Sequence, residues 1–308
     1  MFETTHTTQA PHSPALFDAF APLRVRSARA EALAPGDEAE ALAFLAARPV
    51  HTVNLVGLIR DNGLASPHNR GDFYGYRDER GRLEGVALVG HATLFEARTP
   101  RALRALARAA QNAAGLHMVL GESGPVAEFW RHYRAGGHQS MRLACRELLF
   151  ELHRAGAAEP AAAPPGLRPA TREDLPLVMP VQARMAEDES GVNPLACDPR
   201  GFRLRCERRV ERGRTWVVTE GGRLVFKAEV LAEAGGVVYL EGVHVAEDAR
   251  GRGRGLECLS ALAARLLVRA ASVCVLVNEG NDSAQALYRK AGFRHLCHYD
   301  TIFLSRDS

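Results

Sequence analysis

The residues best suited to chemistry lie late in the chain, in a turn rich in arginine and glycine. This turn alternates the two residue types, as Arg250, Gly251, Arg252, Gly253, Arg254 and Gly255. An alternating apolar run, 237–245, precedes it, and a helical apolar pattern starting at Leu256 follows. Glycines let a ligand approach the backbone, and the first amides of a helix lack internal partners. The pattern therefore predicts a phosphate site between a strand and a helix.

Two common phosphate motifs do not fit this turn. No Gly-Lys-Ser or Gly-Lys-Thr follows, which excludes a P-loop. A dinucleotide-binding fingerprint is also excluded, because the third glycine, Gly255, falls one place early and the turn follows hairpin-like strands. The ligand is therefore a phosphate compound of another class.

A second block of residues follows the turn at fixed spacing. Asn278 ends an apolar run, and the series Asn281, Ala284, Tyr288, Gly292 and Phe293 comes next. Together the two blocks resemble the pyrophosphate loop and the tyrosine helix of the GNAT superfamily of acyl-CoA-dependent N-acyltransferases. The resemblance covers about residues 167–304 and implies an α/β fold, in which helices flank a mixed, mostly antiparallel sheet. It also implies acetyl-CoA, or a related coenzyme A thioester, as co-substrate.

The resemblance also implies which residues bind the donor. Backbone amides from Arg250 to Gly255 would bind the pyrophosphate, and at most some of the three arginine side chains would face it. Backbone groups of Val243, His244 and Val245 would pair with the pantetheine arm where this strand diverges from the next. Asn281 is expected to cap the tyrosine helix and to touch the coenzyme A arm, with Asn278 in a similar role.

Acyl transfer to an amine also needs a base, because a lysine-like amine with a pKa near 10.4 is mostly protonated at pH 7. By the resemblance, Glu241 is the predicted base, and an ordinary strand carboxylate is the structural alternative. His244 is the alternative base, and strict alternation puts it on the opposite face unless a bulge intervenes. Tyr288 is the predicted acid for the departing thiolate, with a buried core tyrosine as its structural alternative.

Three other functional hypotheses are compatible with the sequence. A non-catalytic acyl-CoA sensor or interaction module would keep the phosphate loop without needing Glu241 or Tyr288. A protein N-acetyltransferase would differ only in its acceptor, and an RNA-associated acetyltransferase gains support only from the arginine excess. The first expectation is a small-molecule or amino-acid amine. Glu187, Asp188 and Glu189, at the end of a predicted helix, would either attract such an amine or form a solvated charged face.

Composition narrows the class of protein. The 308 residues carry a formal net charge of +3, and Lys227 and Lys290 are the two lysines. With 6% aromatic residues and no basic cluster, a nucleic-acid partner is disfavoured. The six cysteines are scattered, so they are expected to be buried or partly buried thiols in a reducing cytoplasm. No metal site is predicted, since His295 and His298 lack partner ligands, and no membrane span is predicted. A homodimer is compatible with the sequence.

The chain is expected to hold two copies of one fold in tandem. The predicted units are a poorly ordered segment (1–34), a degenerate GNAT-like domain (35–155), an Ala/Pro linker (156–166) and a catalytic GNAT domain (167–308). The expected order in the second domain is strand, two helices, three strands, helix, strand, helix and two strands. Pro100 stands where the first copy would need a phosphate loop, and proline has no amide to offer. The first copy is thus expected to shape the acceptor pocket and not to bind acyl-CoA in this manner.

Overall fold

The computed structural model describes residues 29–113, 115–137, 140–156 and 164–305. Most of the segment predicted to be poorly ordered, and most of the predicted linker, lie outside these residues. The prediction of poor order is wrong for Glu31 and Ala32, because these residues form a short strand that pairs with Tyr74 and Gly75. The predicted domain boundaries stay a prediction.

Twelve strands run through the described residues. The first half contributes β1 (Glu31–Ala32), β2 (Gly71–Arg77), β3 (Leu83–Gly90), β4 (Ala92–Ala97), β5 (Met118–Glu122) and β6 (Met141–His153). The second half contributes β7 (Arg168–Pro169), β8 (Thr215–Glu220), β9 (Arg223–Ala234), β10 (Val237–Val245), β11 (Ser272–Asn278) and β12 (Arg294–Leu304).

Nine α-helices connect these strands in the described residues. They are α1 (Glu38–Leu45), α2 (Pro49–Asn62), α3 (Pro100–Gln111), α4 (Ser123–Arg134), α5 (Leu175–Ser190), α6 (Pro194–Cys197), α7 (Pro199–Glu211), α8 (Arg254–Leu267) and α9 (Asp282–Lys290). Helical spacing of apolar residues explains the longer ones, as in α8, where Leu259, Leu262 and Leu266 are fully buried.

All the strands join in one sheet, in the order β1-β2-β3-β4-β5-β12-β6-β11-β10-β9-β8-β7. This order is symmetric about the antiparallel pair of β6 and β12, as expected for two copies of one fold. The sheet is mixed but mostly antiparallel, with parallel pairs at β4–β5 and β10–β11. The expected fold class is confirmed.

The two halves exchange their last strands. β12, from the end of the chain, pairs with β5 of the first half, while β6 pairs with β11 of the second half. The expectation of two final strands in the second half is therefore wrong: that half ends in one strand, and the other half supplies its neighbour. Each exchanged strand covers an edge that would otherwise leave unpaired amides and carbonyls.

Helix α2 also ties the halves together, because it packs on β9 of the second half. A Cβ atom on Gly57 would lie 2.9 Å from the Cβ of Ala232, so only glycine allows this close approach. Asp61 at the end of α2 forms ion pairs with Arg212, at 2.9 Å, and Arg214.

The cysteines follow the expectation with one exception. Cys206, Cys258 and Cys274 are buried, Cys145 and Cys297 are partly buried, and Cys197 is exposed. Cys197 ends the four-residue helix α6 at the surface, so its exposure follows from the shortness of that helix.

Candidate active site

The parallel strands β10 and β11 separate at their carboxyl ends. Their pairing runs from Val237 opposite Ser272 to Leu240 opposite Val275 and stops there, although β10 continues to Val245 and β11 to Asn278. The edge of β10 that faces β11 is thus left unpaired along Val243, His244 and Val245. Such an edge can pair with an extended ligand as an added strand would.

The glycine-rich turn lies directly beyond this gap. Gly251 and Gly253 have φ of 72° and 79°, and open space lies in front of both. Within the described residues, no backbone amide from 251 to 256 donates a hydrogen bond to the protein. Helix α8 thus begins with free amides and no side-chain cap, which suits a phosphate group. The residues present therefore fit a pyrophosphate.

Gly255 has a packing role. A Cβ atom at this position would lie 2.8 Å from Cγ2 of Val245, so glycine lets α8 begin close against β10. A side chain here would disturb the strand as well as the turn.

The three arginines of the turn differ in their partners. Arg250 donates through Nε to the carbonyl of Val245 at 3.0 Å, and Arg254 pairs with Glu220 and with Glu257, the latter at 3.0 Å. Arg252 is exposed and makes no ion pair among the described residues. Arg252 is thus the arginine with its charge most available to a ligand.

A β-bulge changes the faces of the two predicted bases. Glu241 lies opposite Glu229, and His244 lies opposite Lys227, so three steps along β10 match two along β9. Because Lys227 and Glu229 share one face of β9, Glu241 and His244 also share a face. The expectation from strict alternation is wrong here, because the bulge supplies the extra residue.

The bulge depends on Gly242 and on a buried lysine. Gly242 has a φ of 60°, and a Cβ atom there would lie 2.8 Å from Nζ of Lys227. Lys227 is fully buried and donates to the carbonyl of Gly242 at 3.1 Å and to the side chain of Gln182. The lysine thus satisfies a carbonyl that the bulge removes from the ladder.

A network of buried charges fixes Glu241 in place. Arg209 of α7 pairs with Glu241 at 3.0 Å and with Glu229, which also pairs with Lys227 at 3.3 Å. Burial opposes the charge of Glu229, but Lys227 and Arg209 outweigh it and lower its pKa. For Glu241, burial dominates over Arg209 and raises the pKa, with Glu229 adding to the effect. Glu241 therefore binds a proton more readily than an ordinary carboxylate.

His244 has the opposite shift. Burial lowers its pKa, and the nearby charges of Arg250, Lys227 and Arg184 lower it further. The imidazole is thus neutral at pH 7, with a lone pair free to accept a proton.

Two more carboxylates lie near Glu241. Burial raises the pKa of Glu189 to about 7, and the charges of Glu147 and Glu241 add to that shift. The residue itself is exposed, which leaves its carboxylate reachable from solvent. Burial also raises the pKa of Glu147, against a hydrogen bond from Thr301. Glu189 stood out in the sequence as part of an acidic run, whereas Glu147 gave no signal because it lies on a strand of the other half.

Tyr288 lies in an aromatic cluster that both halves build. Its ring is 6.0 Å from Phe150 of β6 and 5.8 Å from Phe293, centroid to centroid, and it is 4% exposed. Burial raises the pKa of its hydroxyl, which thus keeps its proton at neutral pH. No hydrogen-bond partner for this hydroxyl lies in the described part of the chain, which leaves it available to a ligand.

The two asparagines have local structural roles. Asn281 caps α9, since its Oδ1 accepts a hydrogen bond from the amide of Ala284 at 3.1 Å, so the predicted cap is confirmed. Asn278 Oδ1 accepts from the amide of Gly280 at 2.8 Å. Their contact with a coenzyme A arm stays a prediction.

In the first half, the helix start that corresponds to the glycine-rich turn is capped. Helix α3 begins at Pro100, and Thr99 Oγ1 accepts a hydrogen bond from the amide of Ala102 at 3.2 Å. Leu103 donates to the carbonyl of Thr99 at 3.1 Å. This helix start therefore offers fewer free amides than α8 does.

The splayed parallel strands and the uncapped helix define the GNAT fold, and comparison with known proteins agrees. Residues 183–293 match the model of the Acetyltransferase (GNAT) family. The chain carries a GNAT acetyltransferase domain in these residues. A search of curated proteins found no significant match.

Several solved structures share the fold over nearly the whole chain. A GNAT-family acetyltransferase from Colwellia psychrerythraea is 15% identical with a TM-score of 0.55, and the alignment covers 90% of this chain and 100% of that one. A Drosophila protein is 15% identical with a TM-score of 0.63 over 91% and 99% of the two chains. A tandem GNAT protein from the clavulanic acid biosynthesis pathway is 17% identical with a TM-score of 0.56, again over 91% and 99%. At these identities the likeness concerns the fold.

Among the described helices, none combines the length and the apolar character that crossing a membrane would require. The expected cytoplasmic location stays a prediction.

Proposed function

We propose that the protein is an N-acyltransferase that transfers an acetyl or other acyl group from its coenzyme A thioester to a primary amine of a small molecule. The observation that carries this proposal is the gap between β10 and β11, which ends at free amides of the turn. The amides of residues 251–256 would bind the pyrophosphate, and the unpaired edge of Val243–Val245 would bind the pantetheine arm. The thioester supplies the activated carbonyl group.

The acceptor side is acidic, which favours a cationic amine. Glu147, Glu189 and Glu241 come from three different elements. The charges of Glu147 and Glu241 add to the effect of burial in raising the pKa of Glu189, and all three carboxylates add to the raised pKa of the buried Tyr239. An ammonium group beside these carboxylates would offset the repulsion between them.

The reaction then needs three proton transfers, because the ammonium group loses two protons in becoming an amide and the leaving sulfur gains one. Neutralising an amine of pKa about 10.4 at pH 7 costs about 4.6 kcal/mol. Glu241, with its raised pKa, accepts that proton directly or through a water molecule, and His244 on the same face is the second acceptor. The amine nitrogen forms a bond to the thioester carbon and gives its second proton to His244 or to water, and the carbon–sulfur bond breaks. Tyr288 donates its proton to the leaving sulfur, so the products are the amide and free coenzyme A.

The test is calorimetric titration of acetyl-CoA into the wild type and two variants at one position. Both substitutions, Gly253→Asp and Gly253→Asn, place a side chain at a residue with positive φ and carry the same kind of backbone strain. Neither side chain meets a neighbouring atom at its Cβ, because open space lies in front of Gly253. Only the aspartate adds a charge beside the pyrophosphate. We expect wild-type affinity near micromolar, about 8 kcal/mol, and affinity at least about tenfold weaker in Gly253→Asp than in Gly253→Asn.

Release of the coenzyme A thiol against a panel of small amines then tests the transfer itself. Turnover on a small amine supports the proposal. Binding without turnover on any amine, peptides included, would favour the sensor instead. Equal affinities in the two Gly253 variants, or no binding by the wild type, would overturn the phosphate assignment.

A further inference from the structure

A cavity of about 450 Å³ lies in the first half, where the parallel strands β4 and β5 separate. Their pairing runs from Ala92 opposite Met118 to Leu94 opposite Leu120, although β4 continues to Ala97 and β5 to Glu122. This geometry repeats the gap between β10 and β11. The cavity is therefore the first half's counterpart of the candidate active site.

The walls of this cavity are largely apolar. Leu94, Leu103 and Leu120 of the first half line it, together with Leu149 of β6 and Leu276 of β11. Its volume lies in the range of small-molecule sites, about 300–1,000 Å³. The cavity can thus enclose an apolar group of a small ligand.

One end of the cavity is acidic, since Glu96, Glu122 and Glu128 line it. Arg48 pairs with Glu122 at 2.7 Å and with Glu96 at 3.2 Å, Arg98 also acts on Glu96, and Glu128 pairs with Arg131. Tyr239 lines the cavity too, and its pKa is raised by burial and further by the charges of Glu147, Glu241 and Glu189. A cationic ligand would balance this end.

A hydrogen-bond acceptor lies in the same wall. Oδ1 of Asn54 is buried and has no hydrogen-bond partner among the described residues. His51 lines this end too, and its Nδ1 lies 2.9 Å from the hydroxyl of Tyr299. An unpaired buried acceptor is costly, and a ligand with N–H donors would satisfy it.

The second half arranges its charges in a comparable way. There Arg209 serves two carboxylates, Glu229 and Glu241, just as Arg48 serves Glu96 and Glu122. The main difference lies at the helix start. Thr99 caps α3 and Pro100 has no amide to offer, whereas α8 has no side-chain cap. The first half thus retains the acidic pocket but not the phosphate turn.

We propose that this cavity binds a small primary amine with an apolar body, as the ammonium ion and without a phosphate group. The apolar body lies among the leucines, and the ammonium group lies between Glu122, Glu96 and Asn54. The proposal does not depend on the assignment of the acyl-transfer site.

The experiment is calorimetric titration of the full chain with 2-phenylethylamine, with 2-phenylethanol and 3-phenylpropionate as controls of the same shape. We expect the amine to bind more tightly than either control. Glu122→Gln keeps the shape of the side chain but leaves Arg48 balanced by Glu96 alone. We expect this variant to bind the amine about tenfold more weakly and the alcohol unchanged. Glu79→Gln removes a charge from an exposed turn outside both sites, so it should leave the affinity for the amine unchanged.

Three results would overturn the proposal. The first is an alcohol that binds as tightly as the amine, and the second is amine binding that is lost in Glu189→Gln but not in Glu122→Gln. The third is Zn²⁺ that excludes the amine and is lost in Cys297→Ser, since His51, Glu122 and Cys297 have ligand atoms within 4.8 Å of one another. Because acetyl-CoA is absent from these titrations, failure of the acyl-transfer proposal would not alter them.

Discussion

Phe150 and Tyr288 pack against each other with ring centroids 6.0 Å apart, although one belongs to the first half of the chain and the other to the second. Phe150 reaches this position because β6 is inserted between β12 and β11. The side chain proposed as the acid therefore depends on a residue outside its own half for its orientation.

Phe150→Leu tests this dependence. Phe150 is fully buried, so the substitution should lower the free energy of unfolding by roughly 1–2 kcal/mol. Turnover should fall several-fold as the ring of Tyr288 loses its neighbour. Phe129→Leu is the matched control, because Phe129 is equally buried but packs in the core of α3 and α4. Denaturant unfolding and coenzyme A release measure both effects, and an equal loss of turnover in the two variants would refute the orienting role.

Tyr288→Phe should abolish proton donation to the leaving sulfur without changing the fold. The ring keeps its packing, so acetyl-CoA binding should stay at wild-type strength while kcat falls by about a hundredfold. Tyr133 occupies the equivalent place in α4 and is also buried, so Tyr133→Phe serves as the control for turnover. Unchanged kcat in Tyr288→Phe would return Tyr288 to a packing role.

The pH dependence of turnover should reflect the ionisation of the Glu189 carboxyl group. Its pKa of about 7 means that it is largely protonated below neutral pH and ionised above it. If the ionised form attracts the ammonium group of the acceptor, kcat/KM should rise through about pH 7. Glu189→Gln should have a lower kcat/KM at high pH and should lose this limb of the profile. A limb that persists in Glu189→Gln would belong to another group, such as Glu241.

Asp174 should control the acid stability of the second half. Hydrogen bonds from Arg168 at 2.7 and 2.9 Å, and from the amide of Thr171, lower its pKa to about 2. Because the pKa is lowered in the folded state, the stabilisation is present above about pH 4 and is lost as the pH falls towards 2.

Asp174→Asn should therefore lower the free energy of unfolding at pH 7 by roughly 1–2 kcal/mol and flatten its fall between pH 4 and 2. Denaturant unfolding across this range is the measurement. Asp188→Asn, at an exposed residue without an ion pair in the described part of the chain, is the control. A wild-type acid limb in Asp174→Asn would contradict the assignment.

The sequence was sufficient to recognise the GNAT domain and to predict the local elements around the candidate site. The turn at 250–255 and the Asn281–Phe293 block depend on backbone conformation and on helical spacing, which short sequence patterns record. The cap at Asn281 follows from the same local rules.

Other features depend on contacts between distant segments. The shared face of Glu241 and His244 depends on a bulge at Gly242, for which a glycine within a strand pattern was the one local signal. Glu147 joins Glu189 and Glu241 only because β6 crosses into the second half. The pairing of β5 with β12 joins segments separated by more than half of the chain, and no local periodicity encodes it.

The exchange of β6 and β12 also sets the order in which the protein can fold. During synthesis, the edge of β5 stays unpaired until β12 is made, after the eleven other strands of the described residues. Until then, a nascent first half has an open strand edge, the kind of surface that promotes aggregation or pairing with the wrong chain. Completion of the sheet is thus a late step of folding, and the many long-range strand contacts favour slow folding.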